Sequence, residues 1–261
     1  MLRKKMTMFM LVAAMGVGTF ALTGCGTDTS NASEVEQKKD EVKVDLYNVD
    51  GKTKIETLKV KSGEKITPKE PKKDGYKFVA WYLNPDHTRK ADLSRPVNEN
   101  MKLYAGLAKQ QEDTRTFYIV GDGASDVLKE SNWGKTTGDA QKLEKTTVNG
   151  DNVYTITVDL KAGDKFQFAL NGNWEDQRGF GYLETSKKDG KECFKNSGAL
   201  GAASTKKSNI EVVEDGKYTF TLTTYPGADY YDTKDEHYKE DSKENFNLNP
   251  YDKITFERVE G

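Results

Sequence analysis

The residues best able to do chemistry in this 261-residue chain are aromatic rings set among amides and cations. They fall in two polar stretches: "ESNWGK" holds Asn132, Trp133 and Lys135, and "NGNWEDQRGFGYLE" holds Trp174, Gln177, Arg178 and Tyr182. A sugar ring presents C–H faces to an aromatic ring and hydroxyls to amide, ammonium and guanidinium groups. That mixture, displayed on a rigid sheet, makes a shallow glycan site. Either tryptophan alone is equally compatible with capping the edge of a β-layer, but two such loops in one domain tilt the balance toward a ligand.

Residues for catalysis are scarce. His87 in "NPDHTRK" and His237 in "KDEHYKED" belong to no metal or nucleophile motif and read as solvated surface residues. Carboxylates are abundant, but with 31% charged residues close acidic pairs arise by chance. The stretch "GDGASD", 121–126, loosely matches a phosphate loop yet lacks the lysine and a following helix. The acidic run 232–245 carries lysines throughout and lacks EF-hand spacing, so it reads as a solvated loop. Cys193 has no intrachain partner if Cys25 is modified, and no histidine lies near it in sequence, so it reads as an inert, buried or half-buried thiol. No catalytic residue, metal or cofactor is expected. The formal charge of −2 argues against a nucleic-acid partner.

The elements that must position the rings begin after a leader. "LRKK" is a basic start and "MTMFMLVAAMGVGTFA" an apolar run too short for a confident membrane span, so residues 1–24 read as a signal peptide. Its end, Leu22-Thr23-Gly24-Cys25, is similar to a bacterial lipobox. That resemblance implies cleavage before Cys25 and lipid attachment on its sulfur. Residues 25–41 then form a lipidated, polar tether to the membrane.

From Val42 onward the chain alternates with period two. "VKVDLYN", "KIETLKV", "YKFVAWYL" and "KLYAGLA" read as four strands. The turn "DG", the run "VKSGEKI", the block "PKEPKKDGYKFVAWY" and the closing "NMKLYA" resemble the Listeria-Bacteroides (internalin B) repeat, with Ala80 where the family usually has glycine. The resemblance implies a β-grasp module over 42–108, used on bacterial surface proteins as a spacer or protein-contact unit. Trp81 lies in an apolar strand with Phe78 and Tyr82 and reads as core. The charged break "AKQQEDTR" marks a boundary before a second, all-β domain over 114–261. There "NVYTITVDL", "KFQFALNG", "GKYTFTLTTY" and "YDKITFERV" alternate as strands of an antiparallel sandwich.

The order of "FYIVGDGASDVLKESNW", "KFQFALNGNW" and "SNIEVVEDGKYTFTLTT" resembles SusE/SusF-type and pullulanase-associated starch-binding modules. That resemblance implies Trp133 and Trp174 as a glucan platform, with Lys135 and Arg178 as polar partners by proximity. The insertion "KKDGKECFKNSGALGAASTKK" and the acidic loop are departures that could reshape it. The expectation is a mainly β protein: a β-grasp-like domain, then a β-sandwich carbohydrate-binding module. It would be lipid-anchored on the extracellular face of a bacterial membrane and non-catalytic. It would hold starch or a related α-glucan near hydrolases, transporters and other surface glycan-utilisation proteins. The alternative is a surface adhesin or assembly subunit that uses the same rings to bind protein partners.

Overall fold

Val42, Val44 and Leu46 alternate with Lys43, Asp45 and Tyr47 along β1 (Glu41–Tyr47), and the first three are fully buried, as period-two patterning requires. The computed structural model that shows this describes residues 41–172, 176–198, 208–231, 233–234 and 247–259. The expected signal peptide, Cys25, nearly all of the tether, Trp174, His237 and most of the acidic run lie outside the described residues.

β1 pairs antiparallel with β2 (Lys54–Lys61) and parallel with β4 (Met101–Lys109), which pairs antiparallel with β3 (Tyr76–Tyr82). The resulting order, β2-β1-β4-β3, is the sheet of a β-grasp. No helix covers its core among the described residues. Val42, Val44, Leu46, Trp81 and Leu103 are covered instead by Ile66 and Val97 from the connecting loops. Trp81 is 3% exposed, so its ring is core. A register shift between Phe78 and Ala80 in β3 brings Phe78 and Trp81, three residues apart, into the same core with ring centroids 5.6 Å apart. Tyr82 consequently leaves that core and points to the opposite face.

The remaining strands form two further sheets. One has the order β12-β13-β8-β5, built from β12 (Phe194–Asn196), β13 (Ile210–Val212), β8 (Lys165–Leu170) and β5 (Phe117–Asp122), with β9 (Gln177–Arg178) attached to β8. The other has the order β15-β14-β7-β6, from β15 (Lys253–Val259), β14 (Gly216–Thr224), β7 (Asp151–Leu160) and β6 (Glu144–Val148). Strands β10 (Lys187–Lys188) and β11 (Lys191–Glu192) make a small hairpin. The layers enclose an aromatic core in which Phe166, Phe168, Phe194, Phe220 and Phe256 meet edge-on or tilted. Truncating one such buried ring costs about 3–5 kcal/mol. The fold is therefore mainly β with a two-layer sandwich, as the alternation predicted. Cys193 is buried in this core at 1% exposure.

Among the described residues there is one α-helix, α1 (Asp126–Ser131), six residues long, which follows β5. The glycine-rich stretch before it does lead into a helix, contrary to the sequence reading. Its amides are nevertheless occupied from within: Ala124 N–H donates to the Asp164 carboxylate at 2.7 Å. A side chain on Gly123 would meet that carboxylate at 2.0 Å. No described helix is long and apolar enough to cross a membrane.

The charged segment before β5 is built in rather than loose. Asp113 is 1% exposed, and its N–H donates to Asn152 Oδ1 at 2.8 Å. The two sheet systems also touch through Tyr82, Ala108, Tyr225 and Tyr251.

Candidate functional site

Two of the stretches singled out from sequence are neighbours in space. β5 ends at Asp122, α1 turns the chain back, and Asn132, Trp133 and Gly134 follow in the left-handed region with φ 41°, 56° and 82°. Tryptophan tolerates that region poorly, so the surrounding contacts must hold it there. Trp133 N–H donates to the Gly121 carbonyl at 2.7 Å, and Ser131 Oγ accepts the N–H groups of Gly121 and Gly134. The ring is half-buried, while Asn132 and Lys135 are exposed.

The loop after β8 lies against this one. A Cβ on Gly134 would come within 2.4 Å of the Gly172 carbonyl oxygen, and one on Gly172 would meet the Thr137 side chain. Two left-handed glycines therefore let the backbones of both loops approach closely. Asn171, at the start of the second loop, is exposed and also left-handed, with its N–H on the Thr116 carbonyl.

Three residues expected to contact ligand are buried instead. Arg178 is 0% exposed: Nη1 donates to Asp176 at 2.7 Å and Nε to Asp252 at 2.7 Å. Burial opposes its charge, but the flanking carboxylates hold the guanidinium firmly protonated. Tyr182 is 3% exposed beneath the Arg178 guanidinium, 5.1 Å from its ring centroid, and Gln177 is 7% exposed. The physical reason is the short strand β9. Its pairing with β8 turns Gln177 and Arg178 into the layer, where two aspartates neutralise the cation. These residues set the base of the loop; they do not reach solvent. His87 is likewise 8% exposed rather than solvated, with Nε2 3.1 Å from the Ala105 carbonyl and its ring on Tyr82. Burial lowers its pKa.

On its other side the same loop borders a cleft of about 480 Å³ lined by Asp113, Arg115, Leu170, Asp176, Asp229 and Tyr231 among others. Leu170 N–H donates to the Asp176 carbonyl, closing the loop's base at the cleft wall. Arg115 organises the floor: Nε and Nη2 donate to Asp113 at 2.8 and 2.7 Å, and Nη1 to Asp229 at 2.9 Å. Burial works against ionisation of Asp113, but the hydrogen bonds from Arg115 and Thr224 outweigh it and keep its pKa below the usual carboxylate value. Asn249 Nδ2 donates to Asp229 and Asn247 Nδ2 to Asp176, so the carboxylates are fixed in place. The carboxylates of Asp113 and Asp176 are themselves buried, at 1% and 5% exposed, whereas Tyr231, at 38%, shows its ring to solvent. Among the described residues no group of three or more His, Cys, Asp or Glu side chains is arranged to hold a metal.

Sequence reading missed Arg115, Asp229 and Tyr231. Arg115 sits in what looked like linker. "TYPGADYY", 224–231, also clusters large rings, here around a Pro-Gly turn.

Residues 46–106 match the Listeria-Bacteroides repeat domain family. The match covers β1 from Leu46, all of β2 and β3, and β4 as far as Gly106. Among solved structures, the crystal structure of SusF from Bacteroides thetaiotaomicron aligns with 61% of this chain at 18% identity and a TM-score of 0.31. The aligned part spans 32% of SusF, and a likeness of that size settles neither fold nor ligand. No curated protein matches the chain.

Proposed function

We propose that the protein is a non-catalytic, cell-surface carbohydrate-binding lipoprotein whose preferred ligand is starch or a related α-glucan. One observation carries the reading: the loop that bears Trp133 and the loop after β8 meet backbone to backbone at Gly134 and Gly172. Trp133, Asn132 and Lys135 supply contacts there, with Trp174 as the second ring. Arg178, Gln177 and Tyr182 act as its buried support. The cleft beside Arg115 and Tyr231 borders the base of the loop after β8. The order of sequence elements resembling SusE/SusF modules supports the ligand class, and the lipobox-like Leu22 to Cys25 supports a lipid anchor on the outer face of a bacterial membrane.

In this reading residues 1–24 are removed, 25–41 form the anchor and tether, 42–108 the repeat-type domain and 114–261 the glycan-binding domain. The protein would keep polymer close to separate hydrolases and transporters. Weak binding per site, micromolar to millimolar, suits a surface that leaves most of the sugar hydrated.

The test is affinity electrophoresis of residues 26–261 in gels cast with starch, pullulan, dextran, xylan or no polysaccharide. Retardation by starch or pullulan alone is expected. Trp133→Ala and Trp174→Ala should each weaken it by about tenfold or more, from the roughly 1–3 kcal/mol of a ring-stacking contact. Unretarded migration in every gel would overturn the reading in favour of a protein-binding surface.

A further inference from the structure

The small sheet has a second face that its core does not use. Cross-strand register places Glu41, Lys43, Asp45 and Tyr47 of β1 beside Lys61, Lys59, Thr57 and Lys54 of β2, and Asp45 and Tyr47 beside Lys102 and Tyr104 of β4. This face therefore carries five lysines (43, 54, 59, 61 and 102) against two carboxylates (Glu41 and Asp45). All five lysines are exposed.

Three details set it apart from an ordinary solvated face. Lys43 lies directly opposite Lys59, a like-charge cross-strand pair that destabilises the hairpin and is relieved only by a long 3.9 Å contact from Lys59 to Glu41. Tyr47 and Tyr104 stack with centroids 5.2 Å apart, half-exposed, and the ammonium groups of Lys54 and Lys102 stand 5.9 and 5.7 Å from the Tyr47 centroid. The face is also walled. On its β3 side Tyr82 packs on Tyr251 of the sandwich at 5.9 Å, and Tyr251 stands above Gly106, 3.1 Å from where a side chain would start.

We propose that this face is a second binding surface, separate from the Trp133 site, for a linear acidic polysaccharide. A flat membrane cannot settle onto a face walled on one side, whereas an extended chain can lie along it. Lysine ammonium groups would pair with carboxylate or sulfate groups on the chain, and the tyrosine rings would contact its sugar C–H faces. The surplus positive charge and the retained Lys43–Lys59 repulsion follow from a partner that supplies the missing anions. The proposal does not depend on starch being the ligand of the sandwich.

Calorimetry on residues 26–261 tests it, with galacturonan and heparin oligosaccharides as probes, amylose oligosaccharides as the neutral control and polyglutamate as the non-glycan polyanion. Binding of at least one acidic glycan is expected, tighter than polyglutamate and weakened as salt rises from about 0.05 to about 0.2 M. The galacturonan and heparin arms separate carboxylate from sulfate recognition. Lys43→Gln/Lys59→Gln/Lys102→Gln should reduce acidic-glycan binding about tenfold or more while leaving starch retardation unchanged. Because that variant removes a like-charge pair, its thermal midpoint should hold or rise, so lost binding is not lost folding. Trp133→Ala should do the reverse, losing starch and keeping the acidic glycan. Absence of binding at low salt, equal binding of polyglutamate, or an unaffected triple variant would each overturn the proposal.

Discussion

Arg178→Met separates a structural from a ligand-binding role for the residue whose placement departs most from the sequence reading. The guanidinium is fully buried and divided between two carboxylates, Asp176 and Asp252, at 2.7 Å each. Methionine fills a similar volume but leaves those acids without it. Asp176 keeps the more distant Arg115, at 3.6 Å, and the Asn247 amide. Asp252 keeps only hydrogen-bond donors, the Tyr225 N–H among them. Breaking a buried pair from one side costs about 3–5 kcal/mol. In a unit of this size that is a fall of roughly 10 °C in thermal midpoint. Urea denaturation followed by circular dichroism at pH 7 would measure it. Adding Asp252→Asn to Arg178→Met should recover part of the loss, because the orphaned carboxylate goes with its partner. A change under about 1 kcal/mol together with abolished starch retardation would refute this account, since it would make Arg178 a ligand contact rather than a support.

Three further outcomes are expected. Gly134→Ala forces a side chain into left-handed backbone at φ 82° and against the Gly172 carbonyl. It should cost about 1–3 kcal/mol and weaken starch retardation in parallel, and loss of stability with undiminished retardation would show that the two loops do not share a site. Asp252 should make the fold relatively more stable in mild acid. Burial raises its pKa from 3.8 to about 6, with Arg178 pulling down and Asp229 adding repulsion. The native state then holds the proton more tightly than the unfolded chain. The wild type should gain about 2 kcal/mol over Asp252→Asn between pH 7 and pH 4, measured as paired urea curves, and a constant difference would contradict it. Cys193, 1% exposed, should be silent to a thiol reagent in the native protein and react on unfolding; immediate labelling would contradict its place in the core.

Period-two patterning predicted the strands because one face of each is dry: Tyr154, Ile156, Val158 and Leu160 all point inward along β7, as their spacing required. Phe78 and Trp81 show the limit of that rule. Their spacing of three contradicts simple alternation, and only the bulge in β3 lets both reach one core. At the candidate site, sequence pointed to the right stretches but could not sort displayed side chains from buried ones. Asn132, Trp133 and Lys135 sit beside a left-handed turn and remain at least partly exposed. Arg178 and Gln177, equally polar, are drawn inward because a two-residue strand pairs them with β8.

By itself the sequence determined the class of fold, the likeness of residues 46–106 to a known repeat, and the polar, aromatic chemistry available to a ligand, because hydrophobic period and residue type are local properties. Tertiary structure alone decided which charges meet. Asp113, Asp176, Asp229 and Asp252 come from four separate segments and surround Arg115 and Arg178 only once the sandwich has closed. No local pattern records a pairing whose partners lie far apart in the chain.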